Sequence, residues 1–380
     1  MSADVVVIGG GVIGLAAAWS SARSGASVTV VDSRPASGAS SVAAGMLAPV
    51  TEALWGEEHL LELNRESARR WAGYAEELEE ASGLPVGYLS CGTLAVAVDQ
   101  GDRAELEELH RFQVQLGLDS TWLSGREARS VEPLLAPSIA GALLAGGDHQ
   151  VDNRKVMRAL TAGCRNAGVE TRADDVAEVD VVEDRAVGVV FPNGDRLSSG
   201  HVVLAAGCRS ALVGGIPLQL RPPVRPVKGQ ILRLRLGPAD APIASRNLRG
   251  MVNGHSCYLV PRQDGEVVVG ATAEERGFDE RVTAGAVYEL LRDAQRIIPG
   301  VAELELAEAS AGLRPGSPDN LPIVGESGLP GLVYATGHGR NGILLTPLTA
   351  EIVAATVAAA PLPEVAALCT PARLAGVARR

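Results

Sequence analysis

Three glycines and one acid carry the first recognisable chemistry in this chain of 380 residues. Gly9-x-Gly11-x-x-Gly14 directly follows the β-branched run Val5-Val6-Val7-Ile8 and opens an alanine-rich helical stretch that reaches about Ser24. Asp32, with Ser33 beside it, ends the next β-rich run, 27–31. Each residue type has a reason. Gly9 permits a tight turn, Gly11 lets a pyrophosphate approach the backbone, and Gly14 lets the helix pack on the strand. The helix N-terminus, with Val12 and Ile13 in its first turn, offers free N–H groups and a positive dipole end to phosphates. Asp32 can accept ribose hydroxyls. A glycine triplet alone is only a turn. Strand, glycines, helix, strand and acid in register predict a dinucleotide site, and an acid at the ribose disfavours a 2′-phosphate.

Three further segments point to a flavin. Ala39-Ser40-Ser41-Val42-Ala43-Ala44-Gly45-Met46 is built from small residues that permit close backbone approach. The segment 201–207 reads as a strand ending in Ala205-Ala206-Gly207. The segment 333–342 reads as a strand running into the turn His338-Gly339-Arg340-Asn341-Gly342, with a helix from Ile343 and Leu344 onward. A helix N-terminus aimed at the flavin pyrimidine would stabilise the negative charge that appears on reduction. Each segment alone is a strand-end turn; all three with the glycine fingerprint predict FAD.

The elements that must position these groups are legible in outline. Over 57–82, Leu61, Ala68, Trp71, Ala75 and Leu78 fall on one helical face, and 103–116 repeats the pattern with Leu106, Leu109, Phe112 and Leu116. A third helix is predicted over 153–166, capped by Asp152 or Asn153 and ended by Gly168. Beyond it the period approaches two: 176–182, 186–191 and 197–206 read as strands, with Asn193-Gly194 as a hairpin turn. Pro222-Pro223-Val224-Arg225-Pro226 is stiff and suits a domain crossing. Leu232, Leu234 and Leu236 alternate with Arg233 and Arg235, which predicts one buried and one wet face. A second hairpin, 258–261 with 266–270, turns at Asp264-Gly265, and helices are expected over 284–298 and 343–359. The fold class is α/β (α+β overall), a Rossmann-like FAD-binding domain with a second, antiparallel-sheet domain.

Composition narrows the partners. Lys plus Arg number 34 against 45 Asp plus Glu, a net charge of −11, and no basic run with interleaved aromatics offsets it, so no nucleic acid is expected. Charged residues make up 21% and hydrophobic ones 46%, as in soluble globular proteins. The five cysteines, Cys91, Cys164, Cys208, Cys257 and Cys369, form no Cys-x-x-Cys pair, so neither a disulfide framework nor a metal site is expected. The apolar stretch 5–19 lacks the basic flank of a signal peptide. No run reaches the roughly 18 residues of a membrane span. A cytoplasmic protein is expected.

Over nearly its whole length the chain resembles the glycine oxidase type of the D-amino-acid oxidase superfamily, often linked to thiamine biosynthesis. The likeness is carried by VVVIGGGVIGL with Asp32, AAGMLAP (43–49), PVKGQ (226–230), YLVPR (258–262), VVGAT (268–272), AGLRPGSPDNLPIVG (311–325) and TGHGRNGILLTP (336–347). It implies a discontinuous FAD-binding domain (1–50, 148–220 and 308–360). It also implies a substrate domain (51–147 and 221–307) roofing the flavin, and a C-terminal tail (361–380). The implied reaction is oxidation of glycine, sarcosine or a small D-amino acid by hydride transfer to flavin N5. An imine forms, glyoxylate and ammonia follow from glycine, and O2 is reduced to H2O2. Arg314 matches an arginine that grips the substrate carboxylate, Tyr258 a tyrosine reaching the same group, and Arg340 a second arginine near flavin and substrate. Met46 matches a methionine facing the isoalloxazine and Val176 a contact on the adenine side. The mechanism implied rests on orientation, with no general base.

Ser256 stands where some relatives carry histidine and Ala273 where a bulkier methionine is expected, so both bear on substrate size. Gly312 aligns with a cysteine that tethers flavin in sarcosine oxidases, so the FAD is expected to be non-covalent. The resemblance also implies a functional link to a thiazole synthase, and a homo-oligomer is expected. Two alternatives stay open: a D-amino-acid dehydrogenase or oxidase using another acceptor, and a non-catalytic FAD-binding module. Read without the resemblance, Arg314 before Pro315 is a surface loop arginine, Tyr258 a core residue and His338 a spacer in its turn. Likewise Met46 is packing, Cys208 and Cys257 are small buried hydrophobes, and Arg221, Arg225 and Lys228 are solvated charges.

Overall fold

The computed structural model describes residues 2–238, 240–252 and 254–374. Two eight-stranded sheets organise them. In the first, Ser2–Ile8 lies between Val28–Val31 and Arg196–Leu204, parallel to both. Val5, Val6 and Val7 are wholly buried, as a β-branched run covered on both faces requires. Val5 and Val7 face a core shared with the helices Val12–Arg23, Glu58–Ser82, Asn153–Asn166 and Thr346–Val357, whereas Val6 and Ile8 face a second core with Val189, Phe191 and Leu204. Glu170–Arg172 and Leu332–Thr336 extend the sheet in parallel, and Ile323–Glu326 closes one edge antiparallel. Glu178–Val182 and Arg185–Val190 add an antiparallel ribbon to Arg196–Leu204.

The second sheet runs in the order Glu305–Gly316, Arg225–Arg235, Glu266–Gly270, His255–Pro261, Asn247–Val252, Thr93–Ala97, Gly141–Ala145 and Thr121–Ser124. Only Asn247–Val252 and Thr93–Ala97 pair in parallel. The helix Ala284–Ile297 covers one face, where Leu232, Leu234, Leu259 and Ile297 form the core. In the register, Gly229 stands opposite Gly312, Val227 opposite Arg314, and Tyr258 opposite Gly270.

Local signals resolve well. Asp152 caps Asn153–Asn166 by accepting from the N–H groups of Arg154 and Lys155. The last long helix begins at Thr346, not 343, because 339–341 forms a short 3-10 turn first and Pro347 sits in the opening turn of the helix. Three further expectations are corrected. Arg233 lies on the side of its strand expected to be wet, yet it is 1% exposed. It pairs with Glu266, and Asn153 and the Ser41 carbonyl cover it. Lys228 is buried beside Asp279 (3.7 Å) rather than solvated. Arg314 sits on the edge strand Glu305–Gly316, not in a loop. Among the described residues no helix is long and apolar enough to cross a membrane.

Candidate active site

The strand ends of the first sheet and the inner face of the second enclose a cavity of about 880 Å³, within the ~300–1,000 Å³ typical of cofactor sites. At one end stands the glycine turn. Gly9 has φ +110°, and a β-carbon there would lie 2.5 Å from the Ala205 carbonyl oxygen. A β-carbon on Gly14 would collide with the Gly9 carbonyl. These two glycines are required by the turn and by helix packing. Gly11 differs: its nearest neighbour is Ser40 Oγ at 3.3 Å, and its bare face lines the cavity. The Val12 N–H donates to Ser40 Oγ (3.0 Å). The Asp32 carboxylate accepts from the N–H groups of Gly10 (2.6 Å) and Arg34 (2.8 Å), which fixes it at the cavity wall. Ser33, whose hydroxyl donates to Asp175, continues that wall with Val176.

The middle is lined by Ile13, Ala39, Ala44, Gly45, Met46 and Gly207, and by the turn His338-Gly339-Arg340-Asn341-Gly342-Ile343. Leu344 is placed differently. It is buried in the helical core, and its carbonyl accepts from Ser67 Oγ (2.7 Å) and Trp71 Nε1 (2.9 Å). His338 shares a hydrogen bond with Thr349 Oγ1 (2.9 Å), and burial lowers its imidazole pKa to about 3, so it is neutral at working pH. The Arg262 guanidinium donates to the carbonyls of Val151 (2.7 Å) and Ala44, holding the Gly45 turn against the second sheet.

At the far end Arg314 and Tyr258 line one wall with Ile231 and Met46. Arg314 Nη1 donates to the Thr272 carbonyl (3.0 Å). Burial pushes the Tyr258 phenol above its usual range, with the Arg314 charge pulling partly back, so the hydroxyl keeps its proton at neutral pH. Arg340 lines the same cavity but is engaged: it pairs with Glu57 and lies 3.8 Å from Glu52. Glu52 also accepts from Arg249 (2.6 Å) and Asn341 (3.1 Å). Ser256 and Ala273 are exposed and lie off the cavity wall. A β-carbon on Gly312 would lie 3.1 Å from the Val42 side chain. Cys208 is half-buried on the cavity wall, whereas Cys257 is fully buried. Sequence reasoning missed Glu52, Glu57 and Thr272. The first two sit in an irregular stretch, and only tertiary pairing marks them.

Residues 4–356 match the family described as DAO, FAD dependent oxidoreductase. The chain is 36% identical over 357 residues to the bifunctional protein ThiO/ThiG of a Nostoc species, covering 93% of this chain and 52% of that protein. The chain therefore spans about half the length of that relative. It is 35% identical over 356 residues to a glycine oxidase of Geobacillus kaustophilus, covering 92% of each. Its fold superposes on the crystal structure of glycine oxidase from Geobacillus kaustophilus with a TM-score of 0.86 at 33% identity, covering 95% of both chains. The cavity suits that family's cofactor. Gly11 brings bare backbone to the cavity wall at the start of a helix, and the Asp32 carboxylate lines the same wall.

Proposed function

The chain belongs to the FAD-dependent oxidoreductase family, and from that premise we propose that it oxidises glycine and other small amino acids, sarcosine and small D-amino acids among them. Glycine would give the imine, then glyoxylate and ammonia by hydrolysis, with O2 reduced to hydrogen peroxide. The observation that carries this reading is the placement of both Arg314 and Tyr258 on the wall of the cavity. Residues 1–50, 148–220 and 308–360 would form the cofactor domain, and 51–147 with 221–307 the substrate domain.

Gly11, Asp32, Ser40 and the turn 338–343 would hold the FAD, which supplies the two-electron acceptor. The work of the chain's own residues is orientation. A guanidinium grips a carboxylate through two parallel N–H···O bonds and so fixes both its position and its plane. Arg314 would supply that fork and the protonated Tyr258 a further donor. Met46 and Ile231, which line the cavity in one apolar cluster, would keep water from the α-carbon. His338 is neutral and engaged by Thr349, and Glu52 is engaged by Arg249 and Asn341. Neither is arranged as a general base, so the amino acid would bind as its neutral amine, its ammonium proton left to solvent, with the α C–H placed for transfer rather than abstracted by a side chain. The relative that joins ThiO to ThiG in one chain supports delivery of the imine to thiazole synthesis. A panel of amino acids with peroxide detection tests the proposal. Glycine and sarcosine should outperform aromatic D-amino acids in kcat/KM. A large preference for a bulky D-amino acid, or no peroxide with any amino acid, would overturn it.

A further inference from the structure

Arg314 does not stand upright on its sheet. The three atoms nearest to a β-carbon built on Gly229 all belong to the Arg314 guanidinium, with Cζ at 2.5 Å and both terminal nitrogens closer still. Real β-carbons essentially never approach another atom within 3.0 Å. The guanidinium therefore lies flat on the bare backbone of the neighbouring strand. The same relation recurs beside it: a β-carbon on Gly270 would lie 2.5 Å from Cζ of Tyr258 and closer still to its hydroxyl. Both side chains read as carboxylate partners rest on a residue that has no side chain.

We propose that Gly229 is a positioning residue, which sets the plane of the Arg314 fork toward a substrate carboxylate by leaving room for it. This rests on the reading of Arg314 as the carboxylate's partner. The guanidinium is also tethered, since Nη1, the atom nearest to Gly229, donates to the Thr272 carbonyl. Thr272 is itself fixed to the residue after Gly229: Gln230 N–H donates to Thr272 Oγ1 (2.9 Å) and Thr272 N–H to the Gln230 carbonyl (3.2 Å). A methyl group at 229 must displace the guanidinium from its floor, and with it the Nη1 that Thr272 holds. The backbone does not need glycine here. Gly229 lies inside the strand Arg225–Arg235, and its φ is outside the left-handed region. The displaced group is the far end of a flexible side chain, so the fold accepts alanine while the fork loses its aim.

The test uses the FAD-loaded protein with acetate as the probe, a carboxylate without an oxidisable amine, titrated by flavin absorbance. Gly229→Ala should keep its flavin and bind acetate roughly tenfold to a hundredfold more weakly, as expected for a misplacement near 1 Å. In an Arg314→Ala background the added Gly229→Ala change should alter acetate affinity by less than about twofold, because the group it displaces is gone. Wild-type acetate affinity in Gly229→Ala would overturn the inference. So would losses that simply add in the double variant, or a wild-type protein blind to acetate. Glycine turnover on the same proteins separates the two readings. Coupled acetate binding without turnover would sustain the role of Gly229 and refute the oxidase proposal.

Discussion

Replacing His338 with glutamine should flatten the acid limb of the stability profile by an amount the structure sets. Burial lowers the His338 pKa from 6.5 to about 3. The unfolded chain therefore takes up a proton between those values that the folded chain refuses. A depressed histidine pKa contributes stability that is present above about pH 6.5 and is lost as pH falls toward 3. At pH 5, 1.5 pH units below the unfolded value, the loss is about 2 kcal/mol at 1.36 kcal/mol per unit. Glutamine keeps an amide group near Thr349 Oγ1 and does not titrate. Asp148 works the other way, since burial raises its carboxyl to about 6 despite the donors Val50 N–H and Thr51. The cost of ionising it is relieved as pH falls through 6. It titrates in both proteins and cancels in their difference. Urea unfolding at pH 7 and pH 5, with FAD saturating, reads the quantity directly. Between pH 7 and pH 5 the change in stability of wild type should be about 2 kcal/mol less favourable than that of His338→Gln. Equal changes would show that His338 takes up its proton in the folded state, and would reopen it as an acid or base.

Asp32→Ala should weaken FAD binding roughly tenfold to a hundredfold, the worth of one charge-assisted hydrogen bond at about 1.5–3 kcal/mol. An unchanged dissociation constant would move the ribose elsewhere. Acid precipitation should leave the flavin in the supernatant, because Gly312 offers no side chain to tether it; flavin in the pellet would show a covalent link. Arg340→Met should raise KM for glycine less than Arg314→Met does, because Glu57 and Glu52 already balance the Arg340 charge. The opposite ranking in steady-state kinetics would exchange the roles of the two arginines.

What was legible in the sequence is what short-range chemistry determines. The helix Asn153–Asn166 is marked by its capping acid and its apolar spacing, and the glycine turn by residues whose reasons are all local. Period-two alternation shows which side a residue takes but not what will cover that side. Arg233 takes the side expected, and is then buried by Asn153, 80 residues away in sequence. The Arg340–Glu57 pair spans 283 residues, beyond any local pattern. Pro315 suggested a loop around Arg314, yet Glu305–Gly316 is an edge strand, where a missing N–H is tolerated. The flat seat of Arg314 on Gly229 depends on register between two strands, and register is a tertiary fact.

The most direct test of the account is the effect of Arg314→Ala on glycine oxidation by the flavin-loaded protein. At about 1.5–3 kcal/mol for each charge-assisted hydrogen bond of a two-pronged grip, kcat/KM from peroxide release should fall on the order of a hundredfold or more. FAD content should stay at the wild-type level, because the arginine is assigned to the substrate. Wild-type efficiency in a variant that retains its flavin would contradict the account, and loss of the flavin would show that Arg314 serves the cofactor or the fold instead.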